Sequence, residues 1–135
     1  MRLPIGVRFL ALVPLAFALS SCSKHSTAPD ANAAMYGSWS GTLTETIRTS
    51  SGAQVQQSTL HLQIGPGGVG WWINGTPQAT GVNFVRDPEI SFVVADAVSS
   101  RIAYTALRSG DTLSASTSTP AGNRRDDWTV TREAP

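Results

Sequence analysis

Few side chains in this sequence could do chemistry. The chain contains one cysteine, Cys22, and two histidines, His25 and His61. Nucleophilic catalysis needs a nucleophile, a base within hydrogen-bond reach and a group that orients the base, and these residues do not supply such a set. The sequence also has no metal-ligand spacing and no glycine-rich phosphate loop that leads into a helix. We therefore expect no enzymatic activity, no metal and no cofactor.

The residues before Cys22 explain the single cysteine. Leu19, Ser20, Ser21 and Cys22 resemble the lipobox of bacterial lipoproteins, an aliphatic residue and two small residues before a cysteine. The resemblance implies cleavage between Ser21 and Cys22, transfer of diacylglycerol to the thiol, and acylation of the new amino terminus, commonly with palmitate. Two or more acyl chains hold a protein firmly on a membrane. The alternative is an ordinary signal peptide, cut for instance after Ala18, that leaves Cys22 as a free thiol.

The segments around this motif predict an export signal and a tether. Residues 1–21 start with the basic Arg2 and Arg8 and continue with an apolar run from Phe9 to Leu19. This run is too short for a spanning helix, which takes roughly twenty residues, so it indicates a signal peptide that is removed. Residues 22–35 are small and polar and predict the lipidated cysteine and a flexible tether. Residues 36–135 remain, enough for one domain.

The net charge of the mature chain and the residue after Cys22 indicate which partners and which location to expect. Removal of residues 1–21 takes away two of the ten basic residues and leaves nine acidic ones, so the mature chain is nearly neutral. Nucleic-acid binding calls for a clustered basic face, and we expect no nucleic-acid partner. The expected location is the cell envelope, on a membrane through the lipid on Cys22. By resemblance to the sorting rules of Gram-negative lipoproteins, Ser23 favours the outer membrane.

The rest of the chain alternates between apolar and polar side chains, as half-buried β-strands do. In Ser38 to Thr49, Trp39, Leu43 and Ile47 fall on one face, and the other face is a row of threonines. Turn signals such as Asn74-Gly75 separate the segments that alternate in this way. About eight short strands with tight turns predict an all-β fold, a single antiparallel up-and-down β-barrel.

The first and last strands resemble those of lipocalin-like and avidin-like barrels, the calycin group. The first contains the glycine-x-tryptophan motif in Gly37-Ser38-Trp39-Ser40-Gly41, and the last is Trp128-Thr129-Val130-Thr131-Arg132. In lipocalins an arginine of the final strand packs across the first tryptophan, which implies barrel closure by Trp39 and Arg132. The last strand of an even-numbered antiparallel barrel pairs antiparallel with the first. We therefore expect Trp39 opposite Arg132, Gly41 opposite Val130 and Leu43 opposite Trp128.

Aromatic side chains decide what the interior could bind. An aromatic cavity with a few hydroxyl groups suits a small apolar ligand, whereas the same side chains could simply fill an eight-stranded barrel. Glu45 is the acid on the apolar face of the first strand. It is either a polar anchor for a ligand or, in the favoured interpretation, a residue in water at the barrel rim. The candidate ligand-binding residues are Trp39, Glu45, Trp71, Phe84, Phe92, Tyr104 and Trp128.

Three further features lie outside the predicted interior. Trp72 points away from Trp71 and either contacts a partner or the membrane interface, or covers the glycine or threonine row of a neighbouring strand. We expect His61 on the surface and Asp126-Asp127 at a solvated strand end. The sequence thus favours a monomeric, lipid-anchored binding module for a small apolar ligand. The alternative is a filled barrel that acts as an interaction or inhibitor module on another envelope protein.

Overall fold

The structure, a computed structural model, describes residues 28–95 and 101–135. These residues form a closed barrel in which each strand pairs antiparallel with the next and the last pairs with the first. This confirms the predicted all-β, up-and-down architecture of eight strands. The strands are β1 (Gly37–Thr49), β2 (Gly52–Gly65), β3 (Gly68–Ile73), β4 (Thr76–Arg86), β5 (Glu89–Ala95), β6 (Arg101–Ser109), β7 (Thr112–Ser118) and β8 (Arg124–Arg132).

The predicted signal peptide and Cys22 lie outside the described residues. Within the described ranges, no helix has the length and apolar character needed to cross a membrane. The end of the barrel at which β1 begins is called the lower end below. The end that carries the β1–β2 and β7–β8 turns is called the upper end.

β1 and β8 close the barrel in the expected register. The pairs are Trp39 with Arg132, Gly41 with Val130, and Leu43 with Trp128. The guanidinium carbon of Arg132 lies 4.7 Å from the centroid of the Trp39 ring, a cation–π contact that stabilises by about 0.5–2 kcal/mol. Gly41 allows the close approach of the two strands, because a Cβ atom at this position would lie 2.0 Å from the carbonyl oxygen of Thr129.

Two of the eight strand pairs are joined over only a short stretch and are called seams. β3 pairs with β4, and β6 with β7, through three residue pairs beside each hairpin turn. Beyond these pairs, one threonine hydroxyl crosses each seam. Thr80 donates to the carbonyl oxygen of Val69 at 2.6 Å, and Thr117 donates to that of Ala103 at 3.0 Å.

A bulge in β4 corrects one predicted interior residue. Between Gly81 and Phe84 the register with β5 shifts, so that two residues of β4 lie opposite Phe92. An extra residue reverses the inward and outward alternation beyond it. Phe84 is therefore 49% exposed, while Val85 packs against the core. The prediction that Phe84 lines the interior is wrong.

The residues just before β1 close the lower end of the barrel. Residues 31–35 form a turn, and Met35 is fully buried in the core. The carbonyl oxygen of Met35 accepts a hydrogen bond from the Trp39 indole at 3.1 Å, and Arg132 donates to the carbonyl oxygens of Ala34 and Tyr36. The last residues of the expected tether thus belong to the barrel, and its boundary lies near residue 30 instead of residue 36.

Candidate functional site

Four aromatic side chains meet in the interior. Each is at most 2% exposed, and their ring centroids lie between 5.0 and 6.3 Å apart. Trp71 stacks on Tyr104 at 5.0 Å with an interplanar angle of 17°, and Phe92 and Trp128 pack around this pair. Trp39, also fully buried, lies nearer the lower end, and the Arg132 guanidinium packs on its ring. The rings contact one another at the distances of a packed core, which is the arrangement expected of a filled barrel.

Two donors in this cluster have no hydrogen-bond acceptor. They are the indole nitrogens of Trp71 and Trp128, and both are buried. The two indoles meet edge to face, with centroids 5.5 Å apart and an angle of 73°, an arrangement that directs ring hydrogens at a neighbouring ring. A buried donor without a partner destabilises by about 1–3 kcal/mol. These are therefore the interior groups that a small polar molecule would satisfy.

A network of ionised side chains lies next to the rings, near the upper end. The Asp126 side chain is 1% exposed. It accepts hydrogen bonds from the Tyr104 hydroxyl at 2.6 Å and from Nε of Arg124 at 2.8 Å. Arg124 also forms an ion pair with Glu45, whose side chain is 15% exposed. One guanidinium group thus pairs with two carboxylates.

This network corrects two expectations. Glu45 lies opposite Asp126 near the start of β8, as expected of the rim, but its carboxylate is paired with Arg124 and is not in water. Asp126 is buried, so the solvated strand end is wrong for this residue. Asp127 does point outward, where it pairs with Arg125 at 2.8 Å and is 41% exposed.

The environment fixes the protonation states of Tyr104 and Arg124. Burial, followed by the hydrogen bond to Asp126, raises the pKa of the Tyr104 hydroxyl far above its ordinary value. Burial on its own would lower the pKa of Arg124, but the hydrogen bond and charge of Asp126 and the charge of Glu45 outweigh it and raise the pKa. Tyr104 therefore stays neutral and Arg124 charged at physiological pH. Neither group is tuned to exchange protons near neutrality, as general acids and bases are.

The outer surface carries a concave groove lined by hydroxyl groups. It has a volume of about 790 Å³ and crosses β6, β7, β8, β1 and β2. Leu107, which is 56% exposed, forms part of its wall. The threonine row expected on the outer face of β1 supplies part of the lining, and neighbouring strands place serine and threonine beside it. The polar side chains are Thr42, Thr44, Gln57, Thr105, Ser114, Ser116, Asp127 and Thr129.

Trp72 and His61 form a small cluster on the outside of β2 and β3. Their rings meet edge to face at 5.3 Å, and Nδ1 of His61 lies 3.3 Å from a carboxylate oxygen of Glu133. Trp72 lies over Gly70, where a Cβ atom would come within 2.4 Å of the indole ring. His61 is on the surface as expected. Trp72 does cover a glycine, but one of its own strand β3 and not one of a neighbouring strand, as the second interpretation had it.

The structure gathers some of the predicted site residues and separates others. Trp71, Phe92, Tyr104 and Trp128 come together, whereas Trp39 lies below them and Phe84 outside. Arg124 and Asp126 were not among the candidates. Both could have been found from the alternation that places Trp128 on the inner face, because residues 124, 126 and 128 share one side of a strand. Among the described residues, no group of three or more histidine, cysteine, aspartate or glutamate side chains could hold a metal ion.

The chain was compared with models of protein families, with curated proteins and with solved structures, and it matched none of them.

Proposed function

We propose that this protein is a bacterial lipoprotein, anchored to a membrane of the cell envelope through Cys22, whose filled barrel binds another envelope component through its outer surface. The lipobox-like residues Leu19 to Cys22 support the anchor. The closed barrel and the packing of Arg132 on Trp39 fit the calycin group and support a calycin-like binding module.

The occupied interior is the observation that carries this proposal. Trp71, Phe92, Tyr104 and Trp128 are buried against one another, in the space where a carrier would hold its ligand. Met35 is buried at the lower end, and the Arg124 network lies beside the rings towards the upper end. The outer surface of the barrel is therefore the proposed surface for binding another molecule.

A binding role also suits the ionisable groups. Tyr104 and Arg124 both donate hydrogen bonds to Asp126, and such a hydrogen-bonded network stabilises the structure. The groove that crosses β6, β7, β8, β1 and β2 offers hydroxyl and amide groups to a partner. An inhibitor of another envelope protein is a concrete form of this proposal.

A second function, the carriage of a small molecule inside the barrel, is favoured by one observation. The indole nitrogens of Trp71 and Trp128 are buried without acceptors among the described residues, and a ligand that carries acceptor atoms would satisfy them. In this hypothesis the rings separate to admit the ligand.

Native mass spectrometry separates the two functions. The chain from Ser23 onward is exported behind a signal peptide that leaves no lipid, and it is purified without detergent. We expect a mass equal to that of the polypeptide. A mass excess that disappears in a denatured sample of the same preparation would support the carrier and contradict the filled barrel.

A further inference from the structure

The upper part of β2 has one edge that no described strand covers. β1 and β2 pair along their whole length up to their turn, but β3 pairs with β2 only from Leu60 towards the lower end. Residues 52–57 are all exposed, and Val55 is exposed by 65%. The upper part of β2 therefore projects beyond β3 as the edge strand of a sheet that β1 and β8 continue on its other side.

The hydrogen bonds of Thr59 show which backbone groups face this edge. Its N–H donates to the Asn74 side chain at 2.8 Å, and its carbonyl oxygen accepts from the Asn74 N–H at 2.9 Å. Successive residues of a strand direct these groups to opposite sides. Ala53, Val55 and Gln57 therefore direct theirs to the same side as Thr59, where none of the described strands lies beside them.

This edge lacks the features with which proteins protect exposed strands. Edges are usually interrupted by charged side chains, proline or β-bulges, or are kept short. The sequence from Thr49 to Leu60 contains no charged residue and no proline. β1 and β2 pair in one unbroken register without a bulge. The edge is thus regular, uncharged and long enough for a further strand.

We propose that this edge of β2 binds an extended segment of a partner protein, which adds a strand beside Ala53, Val55 and Gln57. Backbone hydrogen bonds supply the affinity in this mode of recognition, and alternate side chains supply the specificity. The outward side chain of Val55 favours an apolar or β-branched residue beside it on the partner segment. The inference rests on the proposed function, because it names the partner chemistry of the same interaction module.

The geometry of the anchor favours a different protein over a second copy of this chain. Antiparallel pairing of two identical edges needs a two-fold axis perpendicular to the sheet, which reverses the direction of the second barrel. In each copy, however, the chain enters the barrel at the lower end, from the side of Cys22. Two copies that both stand with the lower end towards the membrane point the same way, and pairing by this edge would need one of them to turn over.

Site-specific photo-crosslinking in bacterial cells tests the proposal on the full-length, lipidated protein. A photoreactive amino acid replaces Ala53, whose side chain lies at the open edge. The variants Val55→Pro and Gln57→Pro each remove one N–H that faces the edge and leave the bonds to β1 in place, since edge strands tolerate proline. Val55→Thr keeps the N–H and is the matched control.

The proposal predicts an adduct to one defined segment of another protein. The adduct should persist in Val55→Thr and fall about tenfold in each proline variant, as the loss of one backbone hydrogen bond predicts. A synthetic peptide of the crosslinked segment should then slow the hydrogen exchange of the amides of Ala53, Val55 and Gln57. Circular dichroism and a urea melt verify that each proline variant is folded. If one is not, the other carries the test.

Three results would overturn this inference: no adduct, an adduct only to a second copy of the chain, or an adduct that both folded proline variants retain. The proposed function fails separately, through a ligand in the native mass spectrum. A bare polypeptide mass together with no edge adduct would support the filled barrel and would overturn only the proposal that a partner strand binds the edge of β2.

Discussion

At the scale of single residues, the adjacent carboxylates of β8 lie in opposite environments. Asp126 points inward and is 1% exposed, whereas Asp127 points outward and is 41% exposed. Each is paired with the arginine two residues before it. A buried charge is tolerated only when it is paired and hydrogen-bonded, and Tyr104 and Arg124 meet this condition for Asp126.

Substitution of these two carboxylates should have very different effects on stability. Asp126→Ala leaves the buried Tyr104 hydroxyl without its acceptor and removes one of the two carboxylates that neutralise Arg124. Such changes cost about 3–5 kcal/mol. The matched control, Asp127→Ala, disrupts an exposed pair and should cost no more than about 1 kcal/mol. Urea unfolding at neutral pH measures both, and equal losses would contradict the burial of Asp126.

The two tyrosines should titrate in different ways. The folded-state pKa of Tyr104 is raised by burial and by Asp126, so its contribution to stability is fully present below the unfolded value of about 10 and is lost as the pH rises above it. Tyr36, on the surface, has a pKa raised by its hydrogen bond to Asp30. Ultraviolet spectra of phenolate should show Tyr36 ionising in the folded protein and Tyr104 only as the barrel unfolds.

The variant Tyr104→Phe tests this assignment. Its spectrum should retain the Tyr36 transition and lose the one that accompanies unfolding. A reversible ionisation of both tyrosines, without loss of the circular dichroism of the folded barrel, would show that Tyr104 is accessible to solvent.

The sequence could predict some of these contacts and not others. The pairing of Trp39 with Arg132 could be predicted because strand alternation and barrel closure allow it, and the resemblance to lipocalins selects this register among those that alternation allows. The pairing of Glu45 with Arg124 depends on how far a long side chain reaches into the barrel, which alternation does not specify. Glutamate is rarely buried, so the sequence predicted that the Glu45 carboxylate lies in water. In the structure this carboxylate is paired with Arg124.

At the scale of elements, the bulge in β4 shows where alternation fails. Two adjacent residues of β4 lie opposite Phe92 of β5, and the residues beyond them exchange faces. Phe84 is therefore a large apolar residue on the surface. The position of a bulge depends on how neighbouring strands pair, so period-two reasoning along a single strand cannot locate it. The turn that buries Met35 was missed for a related reason, since residues 31–35 have no periodicity.

Phe84 and Phe92, which the sequence predicted to line the same interior, should lose very different amounts of stability when each is replaced by alanine. Phe92→Ala removes a ring that is 1% exposed and packs on Trp71 and Tyr104, and such losses cost about 3–5 kcal/mol. Phe84→Ala changes a side chain that is 49% exposed and should cost less than about 1 kcal/mol. Urea midpoints of both variants check this. A large loss for Phe84 would mean that the bulge is absent and that β4 keeps one alternation throughout.

At the scale of the whole molecule, the lower end of the barrel faces the predicted anchor. Eight peptide units separate Cys22 from Asp30, so the chain between them reaches at most about 27 Å. Asp30 belongs to the turn that closes the lower end, where its carboxylate accepts a hydrogen bond from Tyr36. With the proposed anchor at this end, an upright barrel would carry the β1–β2 hairpin at the end farther from the membrane, where the open edge of β2 could meet a partner.

The anchor itself is tested by the substitution Cys22→Ser. Because the barrel has its own closed core within residues 30–135, loss of the lipid should leave the urea midpoint unchanged while the protein moves from the membrane fraction to the soluble one. The matched control, Ser23→Ala, keeps the cysteine and should stay with the membrane. The mass of the mature wild-type chain gives an independent check, since lipidation adds acyl chains to a chain that begins at Cys22. A wild-type protein that is soluble, or whose mature chain carries a free thiol, would establish an ordinary signal peptide and remove the orientation on which the choice of partner depends.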